Sequence, residues 1–306
     1  MAQTLKSTTL TADTPRADLV VQALTGASRA IVRGMFDHGC VMLDGKPCGE
    51  AGLPVARGHV LTVTYDAEQR YKEVPRTRLS RAFRIAFEDK YLIVVEKVAG
   101  VLTVPTDYGE QNTLVHEVAR HFSKGQRITH RAHIVHRLDR DTSGVLVFAK
   151  TEAIAQALKQ QFADRKPERE YAAIVVGTLK VDRGTFRSFL TTDDDLDQYS
   201  TATPGEGKLA VTHFQVMQRL RGATLVKVNL ETGRRNQIRV HFSEDGHPVL
   251  GDVRYESARA QHPAWRDKRL ALHARTLGFV HPVTGASVRV TSALPAVFHA
   301  FLVAAR

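Results

Sequence analysis

The chain has 306 residues, 43% hydrophobic and 25% charged, which is ordinary for a soluble globular protein. No apolar run approaches the ~20 residues that a membrane helix needs. No secretory leader precedes Cys40 and Cys48, whose spacing is not of the zinc type, so a cytoplasmic protein with two reduced thiols is expected. The formal net charge of +11 favours an anionic partner, and nucleic acid is the commonest.

Residues 1–14 (MAQTLKSTTLTADT) are polar and Thr-rich and read as a flexible tail. Leu19, Val20, Ala23 and Leu24 recur at helical spacing. Ser28 is a candidate N-cap for a second helix, with Ile31, Val32, Met35 and Phe36 as its apolar stripe and Gly39 as its stop. Val41-Met42-Leu43 is a short strand, Asp44-Gly45 a hairpin turn, and Val60 to Val63 a further strand. Residues 15–66 thus predict a small αα-ββ unit, marginal as a free domain. Its order resembles the small RNA-binding module named after small-subunit ribosomal protein S-four. Ser28-Arg29, Arg33 and GCVMLDGK, from Gly39 to Lys46, carry that resemblance. It implies that Arg29, Arg33 and Lys46 grip RNA backbone; without it they read as a solubilising charged face.

Residues 67–82 turn basic, with Arg70, Lys72, Arg76, Arg78 and Arg81 against Glu68 and Glu73, and read as a linker. Within residues 83–306, buried strands are expected at Ile93 to Val95 and Val145 to Phe148. Further strands are expected at Tyr171 to Val176, Ala210 to Val216 and Leu225 to Leu230. Helices are expected at Leu114 to Phe122, through Leu158 and Phe162, from Asn236 to Ser243 before Gly246, and from Leu294-Pro295 through Leu302. Strands broken by a few helices predict an α+β fold around a mixed, mostly antiparallel sheet.

Two segments concentrate reactive side chains. In IVHRLDRDTSGVLVFAK, from Ile134 to Lys150, the polar stretch His136 to Gly144 lies between two apolar strands, where a loop is held at both ends. It carries Asp139 and Asp141 among Arg137 and Arg140, and neighbouring cations keep a carboxylate ionised and nucleophilic. A turn whose Asp and Ser residues cap backbone groups fits the same composition equally well. In LETGRRNQIRVHFSEDGHPVLGDVRY, from Leu230 to Tyr255, Thr232-Gly233 is a turn. Arg235 and Arg239 follow at i, i+4 on one predicted helical face, a spacing that by itself reads as solvated charge.

These segments together are similar to the large-ribosomal-subunit (RluA-type) pseudouridine synthases. HRLDRDTSG matches that family's HRLDxxTSG motif, whose Asp is the nucleophile, here Asp139. Arg169-Glu170-Tyr171-Ala172-Ala173 resembles the segment whose Tyr lies against the target base, here Tyr171. Thr232-Gly233-Arg234-Arg235-Asn236-Gln237-Ile238-Arg239 resembles the motif whose Arg pairs with the nucleophile, here Arg239. Gly246-His247-Pro248, Gly251-Asp252 to Tyr255, Leu272-His273-Ala274 and His281-Pro282 match later landmarks. Three positions depart: Val98 stands where Pro is frequent after Lys97, Asn236 where His is common, and Asp193 to Asp197 form an acidic insertion.

The resemblance implies isomerisation of uridine to pseudouridine in structured RNA, with ribosomal RNA favoured over transfer RNA. Asp139, Tyr171 and Arg239 would form the catalytic set, and His136, Arg137, Arg234 and Asn236 further RNA contacts. Tyr171 would stack on the base and help remove its ring proton. The reaction needs no redox step or group donor, so no cofactor and no metal are implied; a monomer is expected. Two other classes remain at this point. A non-catalytic RNA-binding or ribosome-assembly protein explains the charge but not the Asp, Tyr and Arg. A metal hydrolase using His116, His121, His130, His133 and His136 lacks a placed Glu in its HxxH.

Overall fold

The computed structural model describes residues 3–11, 16–37, 40–48, 51–66, 71, 82–107, 109–124, 130–193, 197–201, 203, 205–267 and 269–306. They divide into two units, Met1–Leu79 and Ser80–Arg306.

The first unit runs β1 (Gln3–Thr9), α1 (Ala17–Thr25), α2 (Arg29–Asp37), β2 (Val41–Leu43), β3 (Lys46–Pro47) and β4 (Val60–Asp66). Its strands make one antiparallel sheet in the order β1-β4-β2-β3. Alternation in VLTVTYD turns Leu61, Val63 and Tyr65 inward. They pack with Val20 and Val21 of α1 and Val32, Met35 and Phe36 of α2. The expected first stripe is rotated, because Leu19 is exposed while Ala17, Val20 and Val21 are buried. The Ser28 Oγ accepts from the Ile31 N–H at 3.4 Å, as a helix-starting residue does. Gly39, the expected stop, lies outside the described residues.

The flexible tail is corrected. Residues 3–9 pair along the whole of β4, from Gln3 opposite Asp66 to Thr9 opposite Val60. The polar composition concealed a Thr-rich edge strand, whose backbone groups are satisfied by pairing even where Leu5 faces solvent. Of the basic linker, only Tyr71 and Ala82 are described. Tyr71 is buried with the first unit's core and its hydroxyl accepts the Asp66 N–H at 2.6 Å.

The second unit begins with β5 (Phe83–Glu88), β6 (Leu92–Lys97), α3 (Leu114–Phe122), β7 (His133–Ile134) and β8 (Ser143–Ala149). It continues with α4 (Glu152–Ala163), β9 (Glu168–Val176), β10 (Arg183–Thr192), β11 (Gln198–Thr201), β12 (Lys208–Leu220) and β13 (Ala223–Leu230). It ends with α5 (Gln237–Glu244), β14 (Leu272–Val280), β15 (Ser287–Thr291) and α6 (Ala296–Ala304). The main path of its sheet is β11-β10-β12-β13-β9-β14-β8-β6-β5, with β15 on β14 and β7 on β8. Every described pairing is antiparallel except β14 with β8, so the fold is α+β around a mixed, mostly antiparallel sheet. All seven residues of β8 are buried, between α4 on one side and the larger core containing Leu146 and Phe148 on the other. That strand therefore offers a fixed base for the loop preceding it.

Candidate active site

Asp139 sits on the loop between β7 and β8, at a cleft of about 380 Å³. The loop is pinned from beneath. Lys97, at the end of β6, donates to the carbonyls of Arg140 (2.8 Å), Val101 (2.7 Å) and Val98 (3.0 Å). Burial pushes the Lys97 pKa down to about 7 while the Asp141 and Asp139 charges hold it up; the three carbonyls match the three N–H groups of its charged form. The Thr103 Oγ1 donates to the Leu138 carbonyl at 2.6 Å and accepts its N–H at 3.2 Å. Val98 in place of Pro leaves this arrangement intact. Downstream, Gly144 adopts φ 118°, and a Cβ there would fall 2.0 Å from the Ala274 carbonyl oxygen, so only glycine lets β14 approach β8 this closely. Ser143 Oγ is held between Arg269 Nη2 (2.6 Å) and His273 Nδ1 (2.8 Å).

The Asp139 side chain is 24% exposed. Burial pushes its carboxyl above the usual range, with the Asp252 charge adding to the rise, against the opposing pull of Arg239, Arg137 and Lys97. Asp141, by contrast, is 38% exposed, pairs loosely with Arg140 and does not line the cleft. The nearest Arg239 nitrogen is 3.9 Å from Asp139, so the two are neighbours in charge and not hydrogen-bonded. The strong bonds of Arg239 go elsewhere. Its Nε and Nη2 grip Asp252 at 2.6 and 2.7 Å, and Nη1 donates to Asn236 Oδ1 at 2.9 Å. The fully buried Asp252 carboxylate also accepts the Arg254 and Tyr255 N–H groups. Neither Asp252 nor Tyr255 has a role predicted from sequence, where GDVRY enters only as a landmark of the resemblance; the bidentate fork needs the fold to bring it together.

Tyr171 lies on β9 and lines the same cleft. Burial pushes its hydroxyl up to about 12, with Asp139 adding to the rise and Arg169 opposing it. It is therefore neutral near pH 7, a hydroxyl that can donate a proton or pass one on. Arg169, two residues earlier on β9, spans to the Glu231 and Leu230 carbonyls at 2.8 and 3.2 Å. A Cβ on Gly233 would meet Arg169 Nη1 at 2.6 Å, so the guanidinium lies directly against this turn. Gln237 fastens the turn from the other side: its Nε2 donates to the Val211 carbonyl and Thr212, and its Oε1 accepts from Thr232 and the Arg234 N–H.

The remaining predicted contacts divide. Arg137, Arg234 and Arg235 are exposed at the cleft. Arg235 is not on a helical face with Arg239, because α5 starts only at Gln237. Asn236 precedes it in the left-handed region (φ 55°), which Asn tolerates better than most residues. Both ends of its amide are used internally, on Arg239 and on the Tyr255 hydroxyl, so it supports Arg239 at the edge of the cleft. His136 is likewise turned inward. Its ring stacks on Phe162, its Nε2 accepts the Val147 N–H at 3.2 Å, and burial pushes its pKa down to about 3, leaving it no phosphate-binding charge. In the first unit Arg29, Arg33 and Lys46 are exposed. Among the described residues no three His, Cys, Asp or Glu side chains are grouped to hold a metal ion; His121 and His133 pair with Glu88 and Glu152. Nor is any helix among them long and apolar enough to cross a membrane.

Comparison with known proteins covers this region. A sequence model of the family described as RNA pseudouridylate synthase matches residues 91–244, which include Asp139, Tyr171 and Arg239. The chain is 38% identical over 218 residues to ribosomal large subunit pseudouridine synthase D of Zymomonas mobilis, covering 69% of each protein. It is 32% identical over 299 residues to the protein of that name from Nitrosomonas europaea, spanning 94% of this chain and 83% of that one. Among solved structures, human RNA pseudouridylate synthase domain containing 4 matches with a TM-score of 0.60 and 25% identity, over 74% of this chain and 93% of that chain.

Proposed function

This chain belongs to the RNA pseudouridylate synthase family, an isomerase family, and from that premise we propose that it converts uridine in large-subunit ribosomal RNA to pseudouridine with Asp139 as nucleophile. One observation carries the assignment: Asp139 is the only carboxylate among the described residues lining the cleft, and cations surround it. The choice of RNA rests on the relatives named for the large ribosomal subunit. Transfer RNA is the alternative substrate.

The reaction breaks the N1–C1′ bond, joins C1′ to C5, moves the C5 proton off the ring and returns one to N1, so it is redox-neutral. A carboxylate at Asp139 serves attack on either C1′ or the pyrimidine ring. The target uridine leaves its stack at a cost of a few kcal/mol, which contacts from Arg137, Arg234 and Arg235 to flanking phosphates offset. Tyr171 provides the platform under the base, and its hydroxyl relays a proton. Action as a monomer in the cytoplasm is part of the same proposal. The direct test maps pseudouridine in ribosomal and transfer RNA from cells with and without the gene. Loss of sites confined to transfer RNA would overturn the substrate assignment.

Two further results are expected. Tyr171→Phe keeps the ring and should hold RNA binding within about twofold, while the single-turnover rate falls on the order of 10²-fold. Tyr171→Leu should in addition weaken binding by about 1–3 kcal/mol through lost stacking. Equal rates for wild type and Tyr171→Phe would remove the hydroxyl from the chemistry. The first unit is proposed to bind RNA through Arg29, Arg33 and Lys46. Deleting residues 1–79 should raise KM for full-length RNA about tenfold or more and flatten the salt dependence by roughly one unit for each phosphate no longer gripped. The rate on a short saturating substrate should survive. A folded truncation inactive on every uridine at saturation would contradict that division of labour.

A further inference from the structure

The 3.9 Å gap between Arg239 and Asp139 raises the question of what sets it. No direct hydrogen bond fixes the pair, so the position of Arg239 depends on the groups behind it. Asp252 fixes two of its nitrogens and Asn236 the third. The face of the guanidinium is closed by the Tyr255 ring, whose centroid lies 5.0 Å from Arg239 Cζ. The Tyr255 hydroxyl reaches past the arginine, accepting from Asn236 Nδ2 at 3.0 Å and from the Gln198 N–H at 3.2 Å. Gln198 is the first residue of β11, directly after the acidic insertion, and Arg254 beside Tyr255 pairs with Asp197 at the end of that insertion. One phenol thus braces Arg239 through its ring, orients Asn236 through its oxygen, and is itself anchored on the β10–β11 hairpin.

We infer that Tyr255 is a positioning residue for the isomerisation: held by the β10–β11 hairpin, it sets the distance of Arg239 from Asp139 and so the fraction of Asp139 that is ionised. The physical link is electrostatic. Arg239 is the first of the cations that oppose the effect of burial on the Asp139 carboxyl, and its pull falls as it recedes. Without the hydroxyl, Asn236 Nδ2 loses its acceptor and its Oδ1 is freed to rotate away from Arg239. Without the ring, the guanidinium also loses its cation–π support. The two losses are separable by substitution.

The inference rests on Asp139 as the reactive carboxylate, so the experiment includes Asp139→Ala. Single-turnover rates of wild type, Tyr255→Phe, Tyr255→Leu and Asp139→Ala are measured from pH 5 to 9 on one saturating RNA, with melting temperatures and RNA binding recorded for each. Tyr255→Phe should bind RNA as wild type does, lose about fivefold in rate at pH 7, and regain wild-type rate at high pH. Its acid limb should move upward by about 0.7 pH unit or more, the least displacement that gives a fivefold loss. Tyr255→Leu should show the same displacement, larger, with an about tenfold or greater loss at pH 7. If Tyr255→Leu does not fold, Asn236→Ala takes its place, since it removes the same link to Arg239 from the other end. Folded variants whose rates fall equally at every pH, or do not fall, overturn the inference. Turnover by Asp139→Ala instead overturns the nucleophile assignment, whichever way the Tyr255 variants behave.

Discussion

Asp139→Asn is expected to abolish pseudouridine formation while leaving the protein as stable as the wild type or more so at neutral pH. The loss should be on the order of 10⁴-fold or greater in single-turnover rate, because the amide replaces the only carboxylate among the described cleft-lining residues without changing its shape. The effect on stability has the opposite sign for a stated reason. Burial raises the Asp139 carboxyl pKa in the folded protein above its value in the unfolded chain. Between those two pKa values the folded state holds the proton more tightly, so stability falls as pH rises through that window and the ionised side chain is a liability above it. Asparagine carries no such liability. The difference in melting temperature between variant and wild type should therefore favour the variant at pH 7 and close as pH falls below about 4, the ordinary carboxyl range. Asp141→Asn is the control. Its side chain is more exposed and does not line the cleft, so its activity should fall by less than about tenfold. An Asp139→Asn protein that turns over at a wild-type rate, or that unfolds far below the wild type, would contradict the placement of that carboxylate.

The segment carrying Asp139 was legible because both its flanks are local: an apolar strand on each side and a dense polar run between them. β6, β8, α3 and α5 were legible for the same reason, since their apolar periodicity is short and unbroken. β14 was not. LHARTLGFV mixes His273, Arg275 and Thr276 into a buried strand, where each meets a distant partner: Ser143 bonds His273 Nδ1, Glu170 lies near Arg275, and Thr291 lies beside Thr276. No local pattern records such partners. β10 and β11 failed for a different reason, since one side of the hairpin is exposed and its sequence is as polar as a loop. The N-terminal strand β1 shows the same effect at a sheet edge. In the site, the sequence offered Arg239 a single partner, Asp139. It concealed the stronger one, because a lone aspartate after Gly251 looks like a turn residue, and its burial is set by the packing of segments far apart in the chain. The internal bonds of Asn236 and His136 were hidden as well, because polarity in a motif says nothing of which way a side chain turns.

Arg239→Leu should have two consequences, and the hidden Asp252 pair is what allows them to be separated. The first is structural. Asp252 is fully buried and loses both nitrogens of the fork, so an uncompensated carboxylate remains inside the protein, at a cost of about 3–5 kcal/mol. The second is catalytic. Asp139 loses the foremost cation opposing its burial, its pKa rises further, and less of it is ionised at pH 7. Activity on the folded fraction should drop on the order of 10²-fold at pH 7 and recover partly as pH rises. The double variant Arg239→Leu/Asp252→Asn distinguishes the two. Replacing the orphaned carboxylate by an amide removes the buried charge, so the melting temperature should return most of the way towards wild type. That repair restores no cation beside Asp139 but does remove the Asp252 charge, which also raises the Asp139 carboxyl, so the pH–rate profile should return only part of the way and remain displaced to higher pH. Arg239→Lys should lie between, retaining the charge but not the two parallel bonds of the fork. The measurements are melting temperature and single-turnover rate from pH 5 to 9 for the three variants. If the double variant regains both stability and the wild-type pH profile, Arg239 serves only to neutralise Asp252, and the ionisation of Asp139 is governed by Arg137 and Lys97 alone.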